Sequence, residues 1–180
     1  MQAARGATLT SGSPLTTVNP GLRALAAIIA VAGVALDQVT KAIAEAKAPQ
    51  GVHLIGSLLQ LQLVHNAGAA FSTGTHFTVV LTFIAIIAAG VVVWFIARLG
   101  STLWAIALGL LLAGICGNLS DRLFRPPGAL RGHVVDFLML PHWPVFNVAD
   151  MCINVAAAII LVQAYRGVGV RGTRTAKTEP

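Results

Sequence analysis

Long apolar stretches separate short polar clusters along this chain of 180 residues. Residues 77–97 and 99–120 contain no Asp, Glu, Lys or Arg, and each is long enough to cross a bilayer as a helix. Two further apolar stretches, 21–40 and 145–165, each include one aspartate. The pattern predicts an all-α polytopic membrane protein with four transmembrane helices.

The segment between the first two predicted helices has a different pattern. Apolar and polar residues alternate from Leu58 to Val64, which is typical of a β-strand. We therefore expect a small extracytoplasmic β cradle between helices 1 and 2. Residues 124–143 contain several prolines and glycines instead, and this composition predicts an irregular loop before the fourth helix.

The two ends of the chain differ from its middle. Residues 1–20 are rich in Thr, Ser, Gly and Pro and show no apolar period, which predicts a flexible cytoplasmic extension. Residues 21–166 form the predicted four-helix membrane domain. Residues 167–180 form a basic tail, also expected in the cytoplasm.

Composition and charge support this assignment. The chain is 56% hydrophobic and only 10% charged, which is too apolar for a soluble domain of this length. Basic residues concentrate at the N-terminus, between the second and third apolar stretches, and in the C-terminal tail. The positive-inside rule then places both termini in the cytoplasm. No basic stripe is interleaved with aromatic residues, so we expect contact with membrane lipid and no nucleic-acid partner.

Four of the six acidic residues lie in or beside the apolar stretches. They are Asp37, Asp121, Asp136 and Asp150. The predicted topology brings all four to the outer face of the membrane. An unpaired carboxylate at that depth is costly, so the convergence predicts a functional site.

Helical spacing leaves two interpretations of these polar residues open. Asp37 and Lys41 are four residues apart, Asn118 precedes Asp121 by three, and Asn147 precedes Asp150 by three. Such pairs place one polar stripe on each helix. For Asp37 with Lys41, and for Asp121 with Arg122, interhelical ion pairing is as good an explanation as direct chemistry.

Asp136 and Asp150 have no basic neighbour at helical spacing. Two adjacent carboxylates do not readily both ionise, and aspartic proteases use such a pair to activate water. Serine and cysteine residues lack an adjacent base for nucleophilic catalysis. The best metal-site candidate, His133 with Asp136 and His142, has no HExxH motif, so we expect neither a metal nor another cofactor.

Five segments together resemble the lipoprotein signal peptidases, also called signal peptidase II. Their sequences are DQVTK at 37–41, NAGAAF at 66–71, GICGNLSDR at 114–122, VVDF at 134–137 and FNVAD at 146–150. Their order, their spacing and the four predicted helices extend the resemblance over about residues 21–165.

The resemblance implies a membrane aspartyl endopeptidase of the bacterial cytoplasmic (inner) membrane. Such an enzyme removes the signal peptide from diacylglyceryl-modified prolipoproteins, cutting before the lipidated cysteine. Asp136 and Asp150 are then the catalytic dyad at the outer face, and no cofactor is needed. The resemblance assigns substrate-binding or site-supporting roles to Asp37, Lys41, Asn66, Gly68, Asn118, Asp121, Arg122 and Asn147. We expect a monomer.

One segment departs from the family pattern, because residues 124–131 lengthen the connection between Asp121 and Asp136. We interpret it as a bulge into solvent.

Two other functions make different demands on the sequence. A small proton-coupled transporter would need polar residues at the bilayer midplane, but residues 77–97 and 99–120 are apolar through their middle. A structural protein whose polar stripes only pack helices is the third possibility.

Overall fold

A computed structural model describes residues 19–47, 51–68 and 76–174. Most of the predicted N-terminal extension and the last six residues of the basic tail lie outside the described residues. In chain order the elements are α1 (Pro20–Lys47), β1 (Val52–Ile55), β2 (Leu59–Asn66), α2 (His76–Ile96), α3 (Thr102–Phe124), β3 (Val134–Met139) and α4 (Val148–Tyr165).

All four helices are long and apolar enough to cross a membrane, which confirms the predicted fold class. The helix α1 is longer than the predicted stretch, because it continues about two turns beyond residue 40. That extension, KAIAEAK, consists of strong helix formers apart from one isoleucine. This extension continues α1 beyond the apolar stretch 21–40, toward the sheet.

The helix α3 lies at the centre of the bundle and packs against α1, α2 and α4. Its glycines allow this close packing. A Cβ atom on Gly109 would lie 2.8 Å from the carbonyl oxygen of Ala26 in α1, and one on Gly114 would lie 2.5 Å from Ile153 in α4. Small residues at helix contacts are a general device of membrane bundles.

The three strands form one antiparallel sheet in the order β1-β2-β3. The pair β1 and β2 confirms the predicted cradle between α1 and α2. The third strand was not predicted, because its first four residues, 134–137, are all buried and so show no alternation of polar and apolar positions. Asp136 therefore lies on a strand, within the region that we predicted to be an irregular loop.

The connection from α3 to β3 is exposed at residues 126–129 and anchored on either side of them. The N–H of Gly132 donates to the carbonyl of Arg122 (3.0 Å), and the Thr82 hydroxyl on α2 donates to the carbonyl of Leu130 (3.0 Å). The added residues thus project outward while β3 stays paired with β2.

A short bridge joins β3 to the start of α4. Leu138 and Phe146 exchange two backbone hydrogen bonds of 2.8 and 2.9 Å. This bridge places the first turn of α4 beside β3, at the end of the bundle where α1 and α3 finish. We call this the sheet end, and we call the opposite end, with Arg23, Arg98, Arg166, Arg171 and Arg174, the basic end.

Candidate active site

A buried ion triad lies between α1 and α3. The ammonium of Lys41 is 2.8 Å from Asp37 Oδ2 and 2.7 Å from Asp121 Oδ2, and all three side chains are fully buried. The expected pair between Asp37 and Lys41 is therefore formed. Buried charges persist only with close partners, so this lysine offsets the desolvation of two carboxylates.

Asp121 also holds the strand β3 in place. Its Oδ2 accepts a hydrogen bond from the backbone N–H of Val135 (3.2 Å), the residue before Asp136. Its Oδ1 accepts one from Nε of Arg125 (2.7 Å). The cationic partners of Asp121 within ion-pair distance are thus Lys41 and Arg125, and the structure does not form the ion pair with Arg122 that the sequence left open as one interpretation.

Asp136 and Asp150 have a different environment, because neutral amides hold each of their oxygens. Asp136 accepts from Nδ2 of Asn147 at Oδ1 (2.6 Å) and from Nδ2 of Asn66 at Oδ2 (2.9 Å). Asp150 accepts from Nδ2 of Asn118 at Oδ1 (2.9 Å) and from the backbone N–H of Asn147 at Oδ2 (3.1 Å). Asn147 therefore contacts both carboxylates.

The start of α4 fixes Asp150. Asn147 is the N-cap, and its Oδ1 accepts from the backbone N–H of Asp150 (3.0 Å) while Asp150 Oδ2 accepts from the backbone of Asn147. This reciprocal capping box satisfies two backbone N–H groups at the helix start. A carboxylate in the first turn also interacts favourably with the helix dipole.

The amide side chains are themselves oriented. Asn118 Oδ1 accepts from the ammonium of Lys41 (3.1 Å), which turns its NH₂ group toward Asp150. Asn66 Oδ1 accepts from the backbone N–H of Gly68 (2.8 Å), which turns its NH₂ group toward Asp136. Gly68 has a φ of 106°, a conformation that side chains other than glycine rarely adopt.

Burial raises the pKa of the Asp136 carboxyl to about 6. The nearby charge of Asp150 acts in the same direction, and the hydrogen bonds from Asn66 and Asn147 oppose it. Asp136 thus takes up a proton much more readily than an ordinary aspartate. Two cations act on this carboxyl. The charge of Lys41 also opposes the rise of the Asp136 pKa, and Arg122 has charge interactions with Asp136 and Asp150 while its Nη1 is buried without a hydrogen-bond partner among the described residues.

The structure brings all ten residues singled out from the sequence into one connected region at the sheet end. It also shows contributors that we did not predict. The Gln38 amide contacts Asp37 and Asp121, Arg125 joins Asp121 to Glu45, and the Thr78 hydroxyl holds the carbonyl of the residue before Gly68. Gln38 lies inside the motif at 37–41 and Arg125 lies three residues after the motif at 114–122, and these positions were the available signal. Thr78 lies within an apolar stretch and gave no signal.

Comparison with known proteins identifies the family. Residues 29–166 match the family model described as signal peptidase (SPase) II. The chain belongs to the signal peptidase II family. It is 41% identical to a lipoprotein signal peptidase of Leifsonia xyli subsp. xyli over 162 residues, which cover 88% of this chain and 75% of that protein. It is 48% identical to the lipoprotein signal peptidase of Mycobacterium tuberculosis (strain CDC 1551 / Oshkosh) over 157 residues, covering 84% and 76% of the two chains.

Solved structures of bacterial membrane enzymes share the fold of this signal peptidase II. A bacterial membrane enzyme solved by the in meso method at 1.9 Å resolution superposes with a TM-score of 0.70 and 29% sequence identity. The match covers 78% of this chain and 92% of that one. The chain is therefore a peptidase and a multi-pass bacterial membrane protein, as its motifs and its four apolar helices predicted.

Proposed function

We propose that this signal peptidase II is an aspartyl endopeptidase that removes the signal peptide from diacylglyceryl-modified prolipoproteins, cutting before the lipidated cysteine. The names of its relatives support a lipoprotein precursor as substrate. The observation that carries the catalytic assignment is that Asn147 contacts both Asp136 and Asp150 while each carboxylate is held by neutral amides. Asp37 and Asp121, in contrast, form ion pairs with Lys41, and Asp121 forms a second one with Arg125.

The two aspartates take different roles in the proposed mechanism. Asp136, with its raised pKa, is the acid that protonates the scissile carbonyl oxygen. Asp150 is the base that removes a proton from the attacking water. The tetrahedral intermediate then collapses as the C–N bond breaks: Asp150 gives the proton it took from water to the leaving amine, and Asp136 takes back a proton from a hydroxyl of the intermediate. No covalent bond to the enzyme is formed.

The remaining residues of the site support this reaction. The free Nη1 of Arg122 is available to a substrate carbonyl. Asn66, Asn118 and Asn147 orient the carboxylates, and Gly68 orients Asn66. No cofactor enters the mechanism, and both aspartates come from one chain, so a monomer suffices.

The proposed orientation in the membrane matches the substrate. The arginines of the basic end favour the cytoplasm for both termini, and the sheet end with its dyad then faces outward. A diacylglyceryl anchor keeps the modified cysteine at the membrane interface, where an active site at the sheet end can reach the bond. The described buried charges all lie at this end, which gives a transmembrane proton relay no support.

The proposed function predicts a defined product. Purified protein in detergent, incubated with a diacylglyceryl-modified prolipoprotein, should release a fragment whose first residue is the lipidated cysteine, as read by mass spectrometry. The same precursor without the lipid is the matched control and should be cleaved far more slowly. Cleavage at any other bond, or equal cleavage of the unlipidated precursor, would contradict the proposed specificity.

The assignment of Asp136 as the acid predicts the pH dependence. Because the free enzyme loses the Asp136 proton as the pH rises through about 6, kcat/KM should fall above that pH. The expected slope is about tenfold per pH unit. Asn66→Ala removes a hydrogen bond that lowers this pKa, so the falling limb should move to higher pH by up to about one unit.

Asn154→Ala provides the control for the pH profile. The Asn154 side chain donates to the backbone carbonyl of Asp150 and does not touch Asp136 in the described structure. Its loss should leave the falling limb in place. A limb that moves to lower pH in Asn66→Ala would exclude Asp136 as the acid.

A further inference from the structure

The basic end has charges of one sign only within the described residues. Five arginines lie there, namely Arg23, Arg98, Arg166, Arg171 and Arg174. The five described acids all lie in the half of the bundle nearer the sheet. The positive potential at the basic end is therefore not offset by any described carboxylate, and it favours an anionic ligand.

The chain after α4 is folded back onto the turn between α2 and α3. Val168 and Arg174 form a bridge, which closes a short hairpin. The N–H of Gly100 donates to the carbonyl of Val170 (3.0 Å), and a Cβ atom on Gly172 would lie 2.6 Å from the carbonyl oxygen of Gly100. Close backbone contact thus fixes the hairpin against the end of α2.

A pocket of about 350 Å³ lies between this hairpin and α2. Arg98 and Arg171 line it from the two sides, together with Thr173. The guanidinium of Arg98 lies 3.5 Å above the ring of Trp94, and its Nη1 donates to the Trp94 carbonyl (2.8 Å). Two guanidinium groups, one of them held in place, and a hydroxyl are well suited to bind a phosphate.

An apolar groove continues from this pocket along the lipid-facing side of α2. It has a volume of about 510 Å³ and is lined by Ile87, Gly90, Val91 and Trp94. Trp94 lines both cavities. A Cβ atom on Gly90 would meet nothing within 4 Å, so this glycine forms an open notch in the helix surface.

The dimensions match one leaflet of a bilayer. With a rise of 1.5 Å per residue, Ile87 and Trp94 are about 10 Å apart along α2. Half of the hydrocarbon core is about 15 Å thick. The groove therefore lies at the depth of acyl chains while the pocket lies at the depth of headgroups.

We propose that the basic end binds one anionic phospholipid, with its phosphate between Arg98 and Arg171 and an acyl chain in the groove at Gly90. The continuity of a cationic pocket with an apolar groove distinguishes a lipid from a soluble phosphate. The site lies at the opposite end of the bundle from Asp136 and Asp150, so it is separate from the substrate site. This proposal does not depend on the proposed function.

Native mass spectrometry of the purified full-length protein tests it. Phosphatidylglycerol and phosphatidylcholine are added in equal amounts, and the lipid retained after collisional activation is counted. We expect preferential retention of one phosphatidylglycerol molecule. Arg98→Gln with Arg171→Gln should lower that retention about tenfold, because two charge-assisted contacts are lost.

Two further variants make the test specific. Arg166→Gln removes the same charge from the basic end without lining the pocket, and should retain the lipid. Gly90→Leu fills the groove without changing charge, and should lower retention although leucine favours the helix. Folding of each variant is checked by thermal melting.

Three results would overturn the proposal: equal retention of both lipids, equal loss in Arg166→Gln, or full retention in Gly90→Leu. Displacement of the lipid by an equal concentration of glycerol 3-phosphate would also overturn it, because the groove would then contribute nothing. Asp136→Asn should retain the lipid as the wild type does. Lipid binding and cleavage can therefore fail independently.

Discussion

Asp136→Asn and Asp150→Asn should each lower kcat/KM for a lipidated prolipoprotein by about 10³ to 10⁴-fold. An asparagine at position 136 keeps the shape of the side chain but has no acidic proton for the carbonyl oxygen. An asparagine at position 150 cannot take a proton from water. Both changes keep the size of the side chain, but each replaces one accepting oxygen by an NH₂ group beside an N–H donor, at a cost of one hydrogen bond. Thermal melting checks that the fold is preserved.

The double variant makes the test of the dyad more specific. If the two carboxylates act as one unit, the double variant should be about as impaired as either single variant, because effects within a catalytic unit are not additive. Glu45→Gln is the matched control. It neutralises a carboxylate of the sheet end that pairs with Arg125 (2.6 Å) and does not contact either member of the dyad in the described structure.

The control variant Glu45→Gln should keep a kcat/KM within a few-fold of the wild type. If the loss of kcat/KM in the double variant equals the product of the two single losses, the two aspartates have independent roles. That result would contradict the dyad. Undiminished cleavage by either single variant would remove that aspartate from the mechanism.

The four helices could be predicted because a bilayer requires long apolar stretches, and this requirement is visible in the sequence. The strand β3 could not be predicted in the same way. Its residues 134–137 are all buried, because β3 contacts β2 as well as α1 and α3, so no periodicity marks them. Its place depends on distant contacts, namely the ladder with β2 and the bond from the N–H of Val135 to Asp121.

The residues of the candidate site could be predicted from their expected depth in the membrane and from short motifs. Which of them form pairs could not be predicted. The sequence left an ion pair between Asp121 and Arg122 open, although adjacent residues on a helix do not face each other. In the folded chain Asp121 faces Lys41 on another helix and Arg125 one turn later on its own. Interhelical distances decide such pairs, and one sequence does not contain them. The contrast between cation-paired and amide-held carboxylates therefore emerges only from the structure.

Lys41→Met should cause the largest loss of stability among single changes in the buried triad. Asp37 and Asp121 are 0% and 1% exposed, and loss of the ammonium leaves Asp37 without its cationic partner and Asp121 with Arg125 alone. Breaking a buried ion pair in this way costs about 3–5 kcal/mol. Denaturant titration of the protein in detergent micelles measures the change in the free energy of unfolding.

Asp37→Asn combined with Lys41→Met separates the charge of the lysine from its packing. In that double variant the remaining carboxylate, Asp121, still pairs with Arg125 (2.7 Å), so the buried charge is again balanced. We therefore expect the double variant to be more stable than Lys41→Met alone. A double variant that is as unstable as the sum of its single changes would show that the lysine acts through packing.

Cleavage should not recover together with stability. Lys41 also donates to Asn118 Oδ1, and this bond turns the Asn118 amide toward Asp150. The double variant still lacks that donor and keeps only the hydrogen bond from Nδ2 of Asn147 to Asn118 Oδ1 (3.0 Å), so the amide is held less firmly toward the base. Restored stability with kcat still depressed would assign the lysine two separable roles, one in balancing buried charge and one in orienting the dyad. Full recovery of kcat would show that the lysine only balances buried charge and does not orient the dyad.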